Sequence, residues 1–373
     1  MSAAVRLPVA VSTPGKLILM GEHAVVYGRP ALVAAIDLRL TARLAPRPGD
    51  AVHLDLPGLH HHEDLSWDGL RTYARAVRER WEGYSQRPAR QGFRELRGDD
   101  PAHVVKVALG EAGEWLSATD TRLAGLRLRI DSDLPLGSGF GSSAATATAV
   151  IAGCLAAHGC ADPTLSADLS CIERLALDVE RRQHGFPSGV DGATVLYGGV
   201  LWARRLPEGA LERERITALS PLLDRLRVYD TGTPADPTGA VVAAVREQHD
   251  RDPARIGELL DRMEAATRSF RAALEQPGTD DPDRDLHLIR EHEACLEALG
   301  VVPDEVRAVV RRVEGEGGAA KISGAGSVRG PGGGSLLVYH PEPDRIAGWG
   351  FLRPFLFYPV HLGAPGFREE VSG

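Results

Sequence analysis

PGKLILMGEH, residues 14–23, places a lysine where this chain otherwise uses arginine. Only Lys16, Lys106 and Lys321 are lysines among its 43 Lys and Arg side chains. An ammonium is a compact point charge with three rotatable donors, whereas a guanidinium is a planar fork. A retained lysine suits a site that admits only the smaller cation. In VERRQHGFPSGVDG (179–192), Glu180 stands eleven residues before Asp191. Glu180 falls on the border of a helical apolar stripe, where a half-buried carboxylate pairs with a cation or a metal. Asp191 follows a Pro-Ser-Gly turn and precedes Gly192, a pattern that an ordinary Asp-Gly turn also satisfies.

A third stretch, PLGSGFGSSAA (135–145), sets Gly137, Gly139 and Gly141 before Ser142 and Ser143. Glycines let backbone approach a ligand and aim several N–H groups one way, and the helix starting near Ser142 adds its partial positive end. The result is an anion site or a tight structural turn. The serine pair favours the former, because a hydroxyl at a helix start can reach a magnesium ion held by phosphates. No lysine follows the last glycine, so this is not a Walker A loop. The spacing G-x-G-x-G is not that of a dinucleotide fingerprint.

These residues need elements to hold them. LRLRIDSDLP (126–135) alternates and reads as a half-buried strand feeding the glycine loop, with a helix from there to His158 and Gly159 as its stop. LSADLSCIERLALDVERRQHG (165–185) reads as a second helix with a stripe at Leu169, Ile172, Ala176 and Val179. Residues 7–13 and 31–44 read as strands around a YGRP turn, and 68–117 as helical with a polar interruption. ATVLYGGVLWARR (193–205) reads as β-rich, and 205–222 as loop, placing a domain boundary there. Beyond it come a strand at 226–230, helices around 238–274, 284–297 and 303–315, and a glycine-rich loop between strands. The irregular alternation favours an α+β fold over a doubly wound sheet.

Composition sets bounds. Apolar residues are 43% and charged residues 25%, the balance of a globular protein, and 373 residues suffice for two cored domains. A net charge of −8 argues against a nucleic-acid groove. Arginines are interleaved with acids in VRERWEGY and LERERI, which reads as solvated helix faces. The start of the chain lacks a signal-peptide core, and the longest apolar run, residues 144–157, is too short to span a bilayer. The expectation is therefore a cytoplasmic protein with no membrane partner and with its four cysteines reduced. His60, His61 and His62 cannot share one face, so they read as an exposed loop and not as a metal site.

The glycine loop resembles the second motif of the GHMP small-molecule kinases, and PGKLILMGEHAVVYGRPAL (14–32) resembles their first motif in its mevalonate kinase form. H-G-x-P-S-G-x-D is matched by residues 184–191, and residues 228–245 and 286–301 resemble the C-terminal half of that family. The resemblance implies a two-domain α+β GHMP kinase fold. Its N-terminal domain (1–215) would combine a mixed sheet with helices, its C-terminal domain (216–373) would be a ferredoxin-like α/β sandwich, and the site would lie in the cleft between them. It implies ATP-dependent phosphorylation of the primary hydroxyl of (R)-mevalonate by direct in-line transfer. Asp191 would be the catalytic carboxylate and Lys16 its partner: the aspartate accepts the hydroxyl proton, and the ammonium keeps it ionised and steadies the alkoxide. Ser143 and Glu180 would hold Mg²⁺. Gly137, Ser138, Gly139, Gly141, Ser142, Ser143, Gly324 and Gly326 would line the nucleotide. Lys16, Glu22, His23, Ser188 and Asp191 would line the acceptor, and the assembly would be a homodimer. Phosphomevalonate or a sugar is the alternative acceptor within the superfamily, and a nucleotide-binding regulator is the alternative outside it.

KISGAGSVRGPGGGSLLVY (321–339) resembles the third motif, K-x-T-G-A-G-G-G-G-C. It departs by Ser323 in place of threonine and by an inserted SVRGP ahead of Gly332, Gly333 and Gly334. Arg329 in that insertion offers a new anion contact, and Lys321 reads as structural.

Overall fold

In the computed structural model, which describes residues 5–86, 98–160, 166–217, 220–276, 278 and 280–370, the chain forms two β-sheets clad by helices. The larger sheet is built on β1 (Val9–Met20) and the long β2 (Pro30–Pro46), antiparallel partners for most of their length. β2 then divides its other edge. Residues 40–46 pair with β5 (Leu126–Ser132), and residues 30–34 pair with β6 (Val200–Arg205), which carries β7 (Leu211–Ile216). β3 (Ala51–Leu56) lies parallel to β5 and antiparallel to β4 (His61–Ser66), making the sheet mixed. The smaller sheet is antiparallel, in the order β11-β8-β10-β9, from β8 (Leu226–Asp230), β9 (Ala319–Ser323), β10 (Ser335–Tyr339) and β11 (Leu356–Tyr358). This is the α+β fold the sequence implies. The chain ends by returning to the first sheet, where β12 (Arg368–Glu370) pairs with β1.

Helices α1 (Trp67–Gln86) and α2 (His103–Ala118) pack on each other, and most of the polar interruption expected between them lies outside the described residues. α3 (Ser142–Ala157) is apolar all round and accordingly buried all round, against β1 and β2. α4 (Ser166–His184) packs on α3. In the C-terminal half come α6 (Thr238–Arg251), α7 (Pro253–Leu274), α8 (Pro282–Ala298) and α9 (Asp304–Gly315), the last two against β9.

Three local readings are corrected. ATVLY is not strand: residues Val190–Tyr197 form helix α5, started at Gly189 (φ 85°) and buried on most sides, so packing overrides the β-propensity of Val and Thr. LERERI is neither helix face nor loop. It is the edge strand β7, and its alternating charges protect that edge. His61 and His62 open β4 instead of lying in a loop; His61 Nε2 is 2.9 Å from Glu63 and His62 Nδ1 is 3.3 Å from Asp55.

Gly110 on α2 meets α1 where a Cβ would stand 2.5 Å from both Ala74 Cβ and the Leu70 carbonyl oxygen. Gly→Ala in an open helix stabilises by about 1 kcal/mol, but overpacking costs about 1–3 kcal/mol. Gly110→Ala is therefore expected to lower the melting temperature, as followed by circular dichroism.

Candidate active site

β1 delivers Lys16 to the glycine loop. The Lys16 N–H donates to the Phe140 carbonyl (2.9 Å), and its side chain runs over Gly141, where a Cβ would lie 2.6 Å from Lys16 Cγ. Gly141 (φ 79°) is thus required twice, for the left-handed turn that starts α3 and for the space the lysine stem fills. Lys16 Nζ lies 3.1 Å from Asp191 Oδ2. The lysine side chain is 4% exposed and the aspartate 36%, so the cation is sealed behind the carboxylate. Asp191 sits in the first turn of α5, favourable for an anion.

Glu180, from α4, completes the group. Its Oε1 overhangs Gly192, where a Cβ would lie 3.0 Å away. Burial first, then the neighbouring Asp191, push its carboxyl up to about 8 against the pull of Lys16. Glu180 Oε1 and Ser143 Oγ are both buried without a hydrogen-bond partner. At the start of α3 no side chain caps the helix, leaving its first N–H groups for an anion.

Not all the third-motif glycines face this loop. Gly324 abuts Gly139, while Gly326 is turned into the Val301 carbonyl oxygen, away from it. Gly334, named with the third motif but given no role, and Ser335, not singled out at all, take part instead. Gly334 lies against Ser138, and Ser335 N and Oγ both donate to the Ser138 carbonyl (2.9 and 2.5 Å).

Glu22 is not open to a ligand. It is buried in an ion pair with Lys321, whose Nζ also donates to the Ile322 carbonyl at 2.6 Å. His292 Nε2 accepts the Gly21 N–H (2.8 Å), so its 3.6 Å approach to Glu22 is not a charge pair; burial and Lys321 hold this imidazole neutral. His23 (φ 56°) donates from Nε2 to the Ala325 carbonyl (2.9 Å) and so ties the first motif to the third. Ser323 keeps the hydroxyl of the missing threonine and accepts the Ile18 N–H (2.8 Å). Ser188 Oγ accepts the Val190 N–H (3.3 Å), shaping the turn ahead of Asp191.

Beyond that turn lies a basic cluster with no short motif. Arg205 ends β6, Arg246 stands on α6 with its guanidinium 4.3 Å from the Phe186 ring centroid, and Arg181 follows Glu180. Burial, then Arg181 and Arg246, lower the Arg205 guanidinium below its ordinary range. Arg181 bonds Asp178, but among the described residues Arg205 and Arg246 have no carboxylate partner. Charges gathered without counter-ions mark an anion subsite.

The family model of the GHMP kinases N terminal domain matches residues 103–199. The human mevalonate kinase is 31% identical, covering 85% of this chain and 83% of its own. A mevalonate kinase structure from Methanococcus jannaschii superposes with a TM-score of 0.71 at 19% identity, covering 95% of this chain and 98% of that one. A phosphomevalonate kinase from Streptococcus pneumoniae does so with 0.68 at 16%, covering 95% and 99%.

Because folding raises the Glu180 carboxyl above its free value of 4.5 toward 8, the folded chain favours the protonated form. That stability is complete below the free value and drains away as pH climbs through 8. Glu180→Gln stays neutral throughout. In chelator and without nucleotide, its melting temperature should match the parent near about pH 4 and exceed it near about pH 8.5; a gap independent of pH would contradict the burial of an uncompensated carboxyl.

Proposed function

The chain belongs to the mevalonate kinases, a branch of the GHMP kinases, and on that premise we propose that it transfers the γ-phosphoryl group of ATP to the primary hydroxyl of (R)-mevalonate. The products are 5-phosphomevalonate and ADP, in the mevalonate route to isoprenoids. The observation that carries this reading is the Lys16–Asp191 pair, a sealed ammonium behind a half-open carboxylate. An alcohol keeps its proton at neutral pH and becomes a nucleophile only as that proton leaves. Asp191 takes it, and Lys16, 3.1 Å from that carboxylate, balances the charge growing on oxygen. No covalent intermediate is required.

The amides of Gly137–Ser143 and the open start of α3 receive the phosphates. Ser143 Oγ and Glu180 Oε1 are hard oxygen donors that nothing else satisfies, which fits Mg²⁺. When bound there, the ion supplies neutralisation of charge on the β- and γ-phosphates. Arg205 and Arg246, with Arg181, attract the acceptor's carboxylate and leave its hydroxyl end toward Asp191. ATP and acceptor then meet in the cleft between residues 1–215 and 216–373.

Asp191→Ala should cut kcat by about 10³-fold or more, in keeping with loss of a proton acceptor, and should lower the melting temperature because it leaves Lys16 buried without its carboxylate. An acceptor panel followed by ADP release tests the substrate: turnover on phosphomevalonate or a free sugar but not on mevalonate overturns the proposal. Arg205→Ala should raise KM for mevalonate about 10–100-fold, the worth of one charge-assisted hydrogen bond, while KM for ATP stays put. Equal rises in both constants would remove Arg205 from the acceptor's end.

A further inference from the structure

The five residues inserted in the third glycine motif have a built anchorage. Asp236, in the loop before α6, is 8% exposed in its side chain. Its Oδ2 accepts the N–H groups of Val328 (3.1 Å) and Arg329 (2.9 Å) and the Ser327 hydroxyl (3.3 Å). Its Oδ1 accepts Arg329 Nε (3.0 Å) and Nη2 (2.5 Å). In return the Asp236 N–H donates to Ser327 Oγ (3.2 Å). One carboxylate thus binds main chain through one oxygen and a guanidinium through the other. Arg329, expected as a fresh anion contact, is committed to this bond, and its side chain lies across the loop with 67% of its surface in solvent.

The far side of the same loop is held separately. Thr231 N and Oγ1 both donate to the Gly334 carbonyl (2.9 and 2.8 Å), Thr231 Oγ1 accepts the Gly333 N–H (3.0 Å), and the Gly334 N–H donates to Gly232 (3.0 Å). Between these two anchor points run the glycines, and at both ends of the run the chain meets the phosphate loop: Gly324 against Gly139, Gly334 and Ser335 against Ser138. A longer loop has more conformations to lose when it orders around a ligand. A tie across the added residues removes those conformations before the ligand arrives.

We propose that Asp236 and Arg329 are positioning residues for the nucleotide: they clamp the lengthened third loop to the 231–236 segment, so that its glycines stay pressed on the phosphate loop and ATP meets a preordered site. This rests on the assignment of the two glycine loops to the nucleotide. It makes the insertion a brace for the site and not a ligand group within it.

The test measures steady-state constants and amide hydrogen exchange on the full chain. Arg329→Ala, at an exposed side chain, is expected to fold as the parent does. KM for ATP should rise about tenfold, with KM for mevalonate and kcat at saturating ATP changing less than twofold. Amides 324–334 should exchange faster in the free chain and regain protection with saturating MgADP. Arg329→Lys, which keeps a donor, should recover part of the loss. Unchanged KM for ATP together with unchanged exchange overturns the proposal, as does a rise confined to KM for mevalonate. Hydrogen exchange with MgADP needs no acceptor, so the outcome is readable even if mevalonate proves not to be the substrate.

Discussion

A lysine taken out of water must be answered by a carboxylate, and in this chain each of the three is. Lys16, Lys106 and Lys321 are 3%, 8% and 1% exposed. Lys16 meets Asp191, Lys106 meets Glu63 (2.6 Å) and Asp100 (2.7 Å), and Lys321 meets Glu22. All but Lys106–Asp100, six residues apart, join segments distant in sequence. Removing one partner of a buried pair costs about 3–5 kcal/mol, whereas an exposed pair contributes about 0–1 kcal/mol. Surface cations can be exchanged freely, and here they are arginines. The interior keeps ammonium groups because their positions are fixed by what they must reach. Lys321 and Ser323 show the consequence for the site: both bond to the end of β1, so the strand that carries Lys16 is stapled to the strand that begins the third glycine motif.

The site itself is a fold working against its own stability. Glu180 has no cation of its own, Lys16 being shared with Asp191, and its Oε1 and the Ser143 hydroxyl are left without partners in the dry interior. Arg205 and Arg246 present the opposite imbalance on the other side of the 184–189 turn. A structure serving only stability would pair these charges with each other. Held apart by the turn, they leave an unpartnered carboxyl near α3 and a positive pole near α6, with the Lys16–Asp191 pair beside the first. A molecule with an anionic end and a neutral alcohol end has one favourable orientation in such a field.

How much of this could be read from residues alone follows from the range of the signals. Glycine spacing, helix starts and apolar stripes act over a few residues, and the glycine loop, α3 and α4 were legible for that reason. The meeting of Asp191 with Lys16 could be expected only through a motif, since an Asp-Gly turn looks the same in any loop. α5 was misread because Val and Thr favour strands until packing decides otherwise. Glu22 is the opposite case: its motif pointed to the acceptor, but Lys321, 299 positions away, claims it. Arg329 reads as a free cation until the fold brings Asp236, 93 positions earlier, to its side. The cluster of Arg181, Arg205 and Arg246 carries no local signature, because what sets Arg205 and Arg246 apart is the absence, among the described residues, of a carboxylate partner.

The fold does not choose the acceptor. Kinases of alcohols and of phosphates superpose on this chain with nearly equal scores, 0.71 and 0.68, so the choice must rest on the chemistry of the acceptor oxygen. A phosphate monoester has its second pKa near about 6 and is already a dianion at neutral pH. It needs no base to become nucleophilic, and a carboxylate facing it would repel it. An alcohol needs that base. On the proposed mechanism the half-open Asp191, paired with a lysine that solvent barely reaches, is useful to an alcohol and harmful to a phosphate. The same pair also bears on the kept lysine. A guanidinium spreads its charge over a wide plane, whereas the ammonium that reaches Asp191 across Gly141 is a compact point charge. The identity of residue 16, the missing side chain at 141 and the exposure of residue 191 are therefore one constraint, and an acceptor that arrives carrying its own negative oxygen would leave all three without a purpose.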